Sequence, residues 1–195
     1  MSTHLLTLLI LLVCAVVALS TGLHVVTVLR SKVSYCDVPS LEYLLKLQQM
    51  LEGNARELRL GYALWAESHN ATLVISAGNL TILREVSYVR LVFRCSYPIK
   101  SIEGSVWSLR SNSTSTYLES SIQVLTLGND LYLKYYSATT GQRAYLLIRE
   151  SLRITYSLYT SSDLVIKLLK DSGEVQTWRF GPGYWRVHVY EVRIE

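Results

Sequence analysis

The side chains able to do chemistry are few and scattered along the 195 residues. Of four histidines, His4 and His24 lie in or beside an apolar stretch, His69 precedes an Asn-x-Thr triplet, and His188 sits near the C-terminus beside Tyr190. HExxH, GxSxG, P-loop and GxGxxG patterns do not occur. The aspartates are Asp37, Asp130, Asp163 and Asp171. Nothing in their spacing nominates a hydroxyl-His-Asp set, which is defined by geometry and not by chain order. A carboxylate pair for glycoside hydrolysis is equally unmarked. The expectation is therefore a protein that is not an enzyme, with no catalytic residue and no cofactor. Cys14 lies in the apolar stretch and reads as a small hydrophobe. That leaves Cys36 and Cys95, and two lone thiols cannot build a structural zinc site, so no metal is expected. A Cys36–Cys95 disulfide would close a loop of about 60 residues and contribute on the order of 4 kcal/mol; two buried free thiols are the alternative.

Two further patterns bear on surface chemistry. Asn70-Ala-Thr72, Asn79-Leu-Thr81 and Asn112-Ser-Thr114 are glycosylation acceptor triplets. They take three of the five asparagines, and with the cysteine pair they favour a body outside the cytoplasm. The run Trp178-Arg-Phe-Gly-Pro-Gly-Tyr-Trp-Arg186 interleaves rings with Arg179 and Arg186. Trp178, Arg179, Trp185 and Arg186 are candidates for a surface contact with a glycan or a neighbouring subunit; the competing reading is a hairpin whose rings close one end of the core.

These groups are carried by a chain that is half hydrophobic and only 17% charged, with mean hydropathy +0.24. Such a composition excludes intrinsic disorder. The net charge of +4 is dispersed and gives no reason to expect nucleic acid. None of the 19 basic and 15 acidic residues precedes Arg30. Leu5 to Leu29 is an uncharged stretch, and as a helix it would run about 37 Å, enough to cross a hydrocarbon core of ~30 Å. Leu5, Leu9, Leu12, Val16, Leu19, Leu23 and Val26 would line such a polymerisation or membrane helix. Three readings compete: a cleaved signal with Ala18-Leu19-Ser20 as its cleavage site, a permanent anchor flanked by Arg30 and Lys32, and a filament-forming helix that waits in the membrane before assembly.

Past Asp37-Val38-Pro39-Ser40, apolar residues recur at helical spacing from Leu41 to Leu51, which predicts an amphipathic helix ending at Gly53-Asn54. From about Leu60 the period becomes two. Ala77-Gly78-Asn79 and Gly128-Asn129-Asp130 are hairpin signals, and Leu152, Ile154, Tyr156 and Leu158 are expected on one face of a strand. Short strands separated by turns predict a mainly antiparallel, immunoglobulin-like β-sandwich with one short extra helix. The expected organisation is a hydrophobic helix over 1–35, a connecting segment with the amphipathic helix over 36–57, and a β head over 58–195.

An uncharged N-terminal apolar helix, a break, and a Ser/Thr-rich head bearing sequons at Asn70, Asn79 and Asn112 resemble the subunits of archaeal type IV filaments, the pilin-like proteins. The resemblance is architectural and spans the whole chain. It implies a homopolymer whose N-terminal helices form the filament core, inserted in the membrane before assembly, and whose glycosylated heads form the outer surface. The function expected is a structural subunit of an extracellular, cell-surface pilus. A membrane-anchored adhesion module using the Trp178 to Arg186 rings stands second, and a secreted hydrolase third.

Overall fold

Ser40 opens the first described element because its hydroxyl accepts from the Tyr43 amide at 3.2 Å, satisfying one of the donors a helix start leaves over. The helix that follows, α1 (Leu41–Glu52), buries Leu44, Leu47 and Leu51 on one face and stops at Gly53. The computed structural model describes residues 39–53, 55–94 and 101–195. The expected N-terminal helix, with Leu5, Leu9, Leu12, Val16, Leu19, Leu23 and Val26, falls outside these residues. So do Cys36 and Cys95.

Among the described residues after α1 there are strands, turns and short irregular connections: β1 (Glu57–Ala77), β2 (Leu80–Phe93), β3 (Ser101–Ile102), β4 (Trp107–Ser111), β5 (Thr116–Ser120), β6 (Gln123–Leu127), β7 (Asp130–Ala138), β8 (Gly141–Thr160), β9 (Leu164–Lys170), β10 (Val175–Phe180) and β11 (Gly183–Ile194). Gly78 and Gly128, at φ near +60°, make the two-residue turns that join β1 to β2 and β6 to β7.

The strands do not form the expected immunoglobulin-like antiparallel sandwich. All eleven are hydrogen-bonded into one connected sheet, in the order β3-β4-β5-β2-β1-β8-β11-β7-β6, with β9 also lying along β1 and β10 along β9. β11 runs parallel to β7. No helix among the described residues is long and apolar enough to cross a membrane. The physical reason for the different architecture is strand length. β1 has 21 residues and β8 has 20, each spanning about 65 Å at roughly 3.3 Å per residue. A twisted strand that long cannot stay within one small layer. The start of β1 pairs with β8 and its end, Ala71–Ala77, with β9, so the sheet forks along it.

The forking divides the core. One apolar cluster takes Leu64 and Ala66 from β1, Val89, Leu91 and Phe93 from β2, and the buried face of α1. The other takes Ala71, Leu73, Ile75 and Ala77 from β1 and Val86 and Tyr88 from β2. The β1–β2 register is unbroken from Trp65↔Val92 to Ala77↔Leu80. Successive side chains on a strand point to opposite faces. The even positions buried early in β1 and the odd positions buried late therefore serve opposite faces of one ladder. In β8 a register shift opposite Val189 and Tyr190 breaks the alternation. Leu152, expected on the same face as Ile154 and Leu158, is exposed.

The loop after β3 latches α1 to the sheet. The Gln48 amide donates to the Trp107 carbonyl, and one Glu52 oxygen accepts from the Val106 and Trp107 amides at 3.1 and 3.2 Å. Gly104 lies so close that an added Cβ would overlap the Glu52 carboxylate, the Gln48 amide and the Trp107 carbonyl.

Candidate functional site

Two clusters of polar groups stand out, one buried and one at the surface. The first grows from the apolar alternation of β9. Leu164, Ile166 and Leu168 point inward, and Lys170 continues the same phase. Its side chain is 1% exposed, and the ammonium lies 2.7 Å from Glu119 Oε1 and 3.2 Å from Glu174 Oε2. Arg90 faces Glu119 across the β2–β5 ladder and donates to its other oxygen at 2.6 Å. Arg110 on β4 approaches Glu119 at 3.6 Å and Glu174 at 3.4 Å. Beneath them the Tyr88 ring lies 4.9 Å from the Lys170 ammonium, and the Tyr88 hydroxyl donates to Asp171 at 2.6 Å.

Burial pushes the Glu119 carboxyl up, but the hydrogen bonds from Lys170 and Arg90 outweigh it and hold the group below the usual carboxylate range. Glu174 is held low in the same way, burial being overcome by the charges of Lys170 and Arg110. Burial, helped by the bond to Asp171, pushes the Tyr88 phenol up to about 12. Clefts of about 340 and 360 Å³ both reach Lys170, one beside Trp178 and the other beside Asn70. Lys170 and Arg110 each meet both Glu119 and Glu174, and Arg90 pairs with Glu119, so the charges of the cluster are spent mainly on one another. Its chemistry is cohesive.

The second cluster lies on the outer face of β8, β11 and β7. Thr155 and His188 are register partners, as are Arg186 and Asp130. Thr155 Oγ1 lies 3.0 Å from His188 Nδ1, and His188 Nε2 lies 3.1 Å from Asp130 Oδ1. Arg186 donates to the other Asp130 oxygen at 2.7 Å. The Tyr132 ring stacks on the imidazole with centroids 5.0 Å apart. The His188 hydrogen bond, then Arg186, holds the Asp130 carboxyl below its ordinary range. Asp130 therefore stays an acceptor. In the tautomer with the proton on Nε2, that N–H donates to Asp130 and Nδ1 accepts from Thr155. This is the hydroxyl–imidazole–carboxylate order of a nucleophile relay, placed on an open strand surface.

The residues singled out from the sequence are spread over the body. Asn70 is exposed on β1, Asn79 in the β1–β2 turn and Asn112 in the loop between β4 and β5. Trp178 and Trp185 are half-buried against the second apolar cluster, and Phe180 meets Trp185 at 5.6 Å. Arg179 is exposed, while Arg186 is committed to Asp130. Among the described residues no group of three His, Cys, Asp or Glu side chains is placed to hold a metal ion. Lys170, Glu119, Arg90, Arg110 and Thr155 escape a reading of motifs. The signal for Lys170 is a lysine on the inward phase of an otherwise apolar strand. Thr155, His188 and Asp130 come from three strands, and no local pattern joins them. No family model, no curated protein and no solved structure matches this chain.

Proposed function

We propose that the chain is a structural subunit of an extracellular, pilus-like filament, with the apolar segment 5–29 as its assembly contact and the β body as its outer part. The observation that carries this reading is the absence of any charge before Arg30. Twenty-five uncharged, mostly large apolar residues must be covered by lipid or by protein, since each large side chain left in water forfeits roughly 1.5–3 kcal/mol. Many copies packing this segment together would supply that cover once the protein leaves the membrane. Electron microscopy of material from the native source, together with sequencing of its mature N-terminus, tests the reading. Filaments with the segments of many copies around a common axis are expected. Lipid-embedded monomers would replace the filament by an anchored surface module, and a mature N-terminus near Thr21 or Leu23 would leave a secreted protein.

A second reading, hydrolysis of an activated ester, is favoured by the Thr155–His188–Asp130 relay alone. Its test is turnover of a small aryl ester by the intact protein, compared with Thr155→Ala and His188→Asn. Equal rates for all three would dismiss it.

A further inference from the structure

The three acceptor triplets share one sequence pattern, yet the fold presents them in three different ways. Asn70, Ala71 and Thr72 sit mid-strand in β1. Asn70 pairs with Ser87, Ala71 with both Val86 and Lys170, and Thr72 with both Glu85 and Leu169. Ala71 is buried, and the Asp171 amide donates to the Asn70 carbonyl at 3.2 Å. An enzyme that must grip this triplet by its backbone would first have to peel β9, with the buried Lys170 and its carboxylate partners, away from β1. Asn79 is intermediate. It lies in a turn, but Leu80 and Thr81 are already in the β2 ladder against Ala77 and Ser76.

Asn112, Ser113 and Thr114 lie outside every ladder, and all three are exposed. The Asn112 side-chain oxygen accepts from the Thr114 amide at 2.9 Å and the Thr114 hydroxyl at 3.1 Å. It also accepts from the Ser115 amide at 2.8 Å and the Ser115 hydroxyl at 3.1 Å. The Asn112 amide closes the turn on the Ser115 carbonyl at 2.9 Å. Donors gathered on the amide oxygen favour negative charge there, which makes the side-chain N–H easier to deprotonate. The hydroxyl that defines the acceptor pattern is held against the asparagine it serves.

We propose that Asn112 is the N-glycosylation site of the folded protein and that the fold itself withholds Asn70. The donor is a polyprenyl-phosphate-linked or polyprenyl-pyrophosphate-linked oligosaccharide, used by a transferase that reads Asn-x-Ser/Thr. The Asn112 nitrogen bonds to C1 of the first sugar as the C1–O bond to phosphate breaks. The electron pair leaves on the phosphate, and the amide proton passes to the transferase. For the protein in its native setting, this inference rests on the extracellular placement proposed above. The selection among sites rests on the fold alone.

The experiment separates the two. The folded full-length chain in detergent is incubated with a purified oligosaccharyltransferase of Asn-x-Ser/Thr specificity and its lipid-linked glycan, and the glycopeptides are mapped. A synthetic peptide spanning residues 66–76 is treated alongside. Asn112 is expected to be modified in the folded chain, and Thr114→Ala to abolish it. Asn70 should be modified in the peptide but at least about tenfold less in the folded chain, because freeing a core strand costs close to global unfolding. No transfer to Asn112, equal occupancy of Asn70 and Asn112, or a peptide as inert as the folded strand would each overturn the inference. If transfer in vitro follows the expected pattern but native material carries no glycan, the extracellular placement fails and the site selection stands.

Discussion

Glu119 and Asp130 are both carboxylates held by two or more cationic or hydrogen-bonding partners, and they do opposite things. Glu119 is 1% exposed and touched by Lys170, Arg90 and Arg110. Asp130, at 17%, meets Arg186, itself half in water, and His188. A buried ion pair gains little over an apolar one because desolvation consumes the attraction, but removing one member leaves an uncompensated charge. At the surface, water takes over whatever partner is lost. Similar contacts thus mean rigidity in one cluster and replaceable chemistry in the other.

The sharpest way to break this contrast is to delete one member of the buried pair. Glu119→Ala should cost about 3–5 kcal/mol of unfolding free energy, read from urea denaturation; a loss under about 1 kcal/mol would mean that water reaches the cluster. Glu52 stands between the extremes, since its carboxylate serves two backbone amides of the β4 latch. Glu52→Ala should lower stability by about 1–3 kcal/mol, the cost of unsatisfied donors, with loss of helix signal preceding loss of sheet signal.

Acid sharpens the comparison further. The Glu119 and Glu174 carboxyls are held low in the folded protein, so their stabilisation is complete above the ordinary value of 4.5 and drains away as pH falls through the depressed values. Wild type should lose stability steeply below pH 4.5, and Glu119→Gln, weaker at neutral pH, should show a shallower acid limb. At the opposite end of the scale, an ultraviolet titration should show two tyrosines ionising at about 12, and Tyr88→Phe should halve that step. Tyr136, also pushed up to about 12 by burial, accounts for the remainder. The smallest effect belongs to the surface cluster. Asp130→Asn should leave the thermal midpoint within experimental scatter while shifting the NMR signals of the His188 ring, which lies 3.1 Å from the carboxylate; unmoved ring signals would show that the pair does not form in solution.

Much of the local structure was legible. Ser40 and the spacing of Leu44, Leu47 and Leu51 mark α1, and Gly78 and Gly128 mark two turns, because caps and turns are decided by neighbouring residues. Alternation identified strands but not their partners. Nothing in Leu64, Ala66, Ala71 and Leu73 says that the buried face changes between the second and third of them. That change is set by which side chains arrive on each face, those of α1 beside Leu64 and Ala66 and those of β7 and β11, such as Leu133 and Val189, beside Ala71 and Leu73. The sandwich expectation failed for this reason, since it assumes a single inner face per strand. The two clusters were illegible for a related reason. Lys170 and Glu119 are 51 positions apart, and Thr155, His188 and Asp130 meet only because β11 lies between β8 and β7.

The exchange of faces along β1 has a consequence for how this body can be cut or rearranged. β1 and β8 each supply walls to both apolar clusters, so no break in the chain separates one cluster from the other. Halves expressed as separate polypeptides would each carry an incomplete core. A circular permutant would have to open at a turn that both clusters ignore, such as Gly128 or Gly173, where an added side chain would meet nothing within 4 Å. For recombination, and for the engineer, the body is one indivisible module.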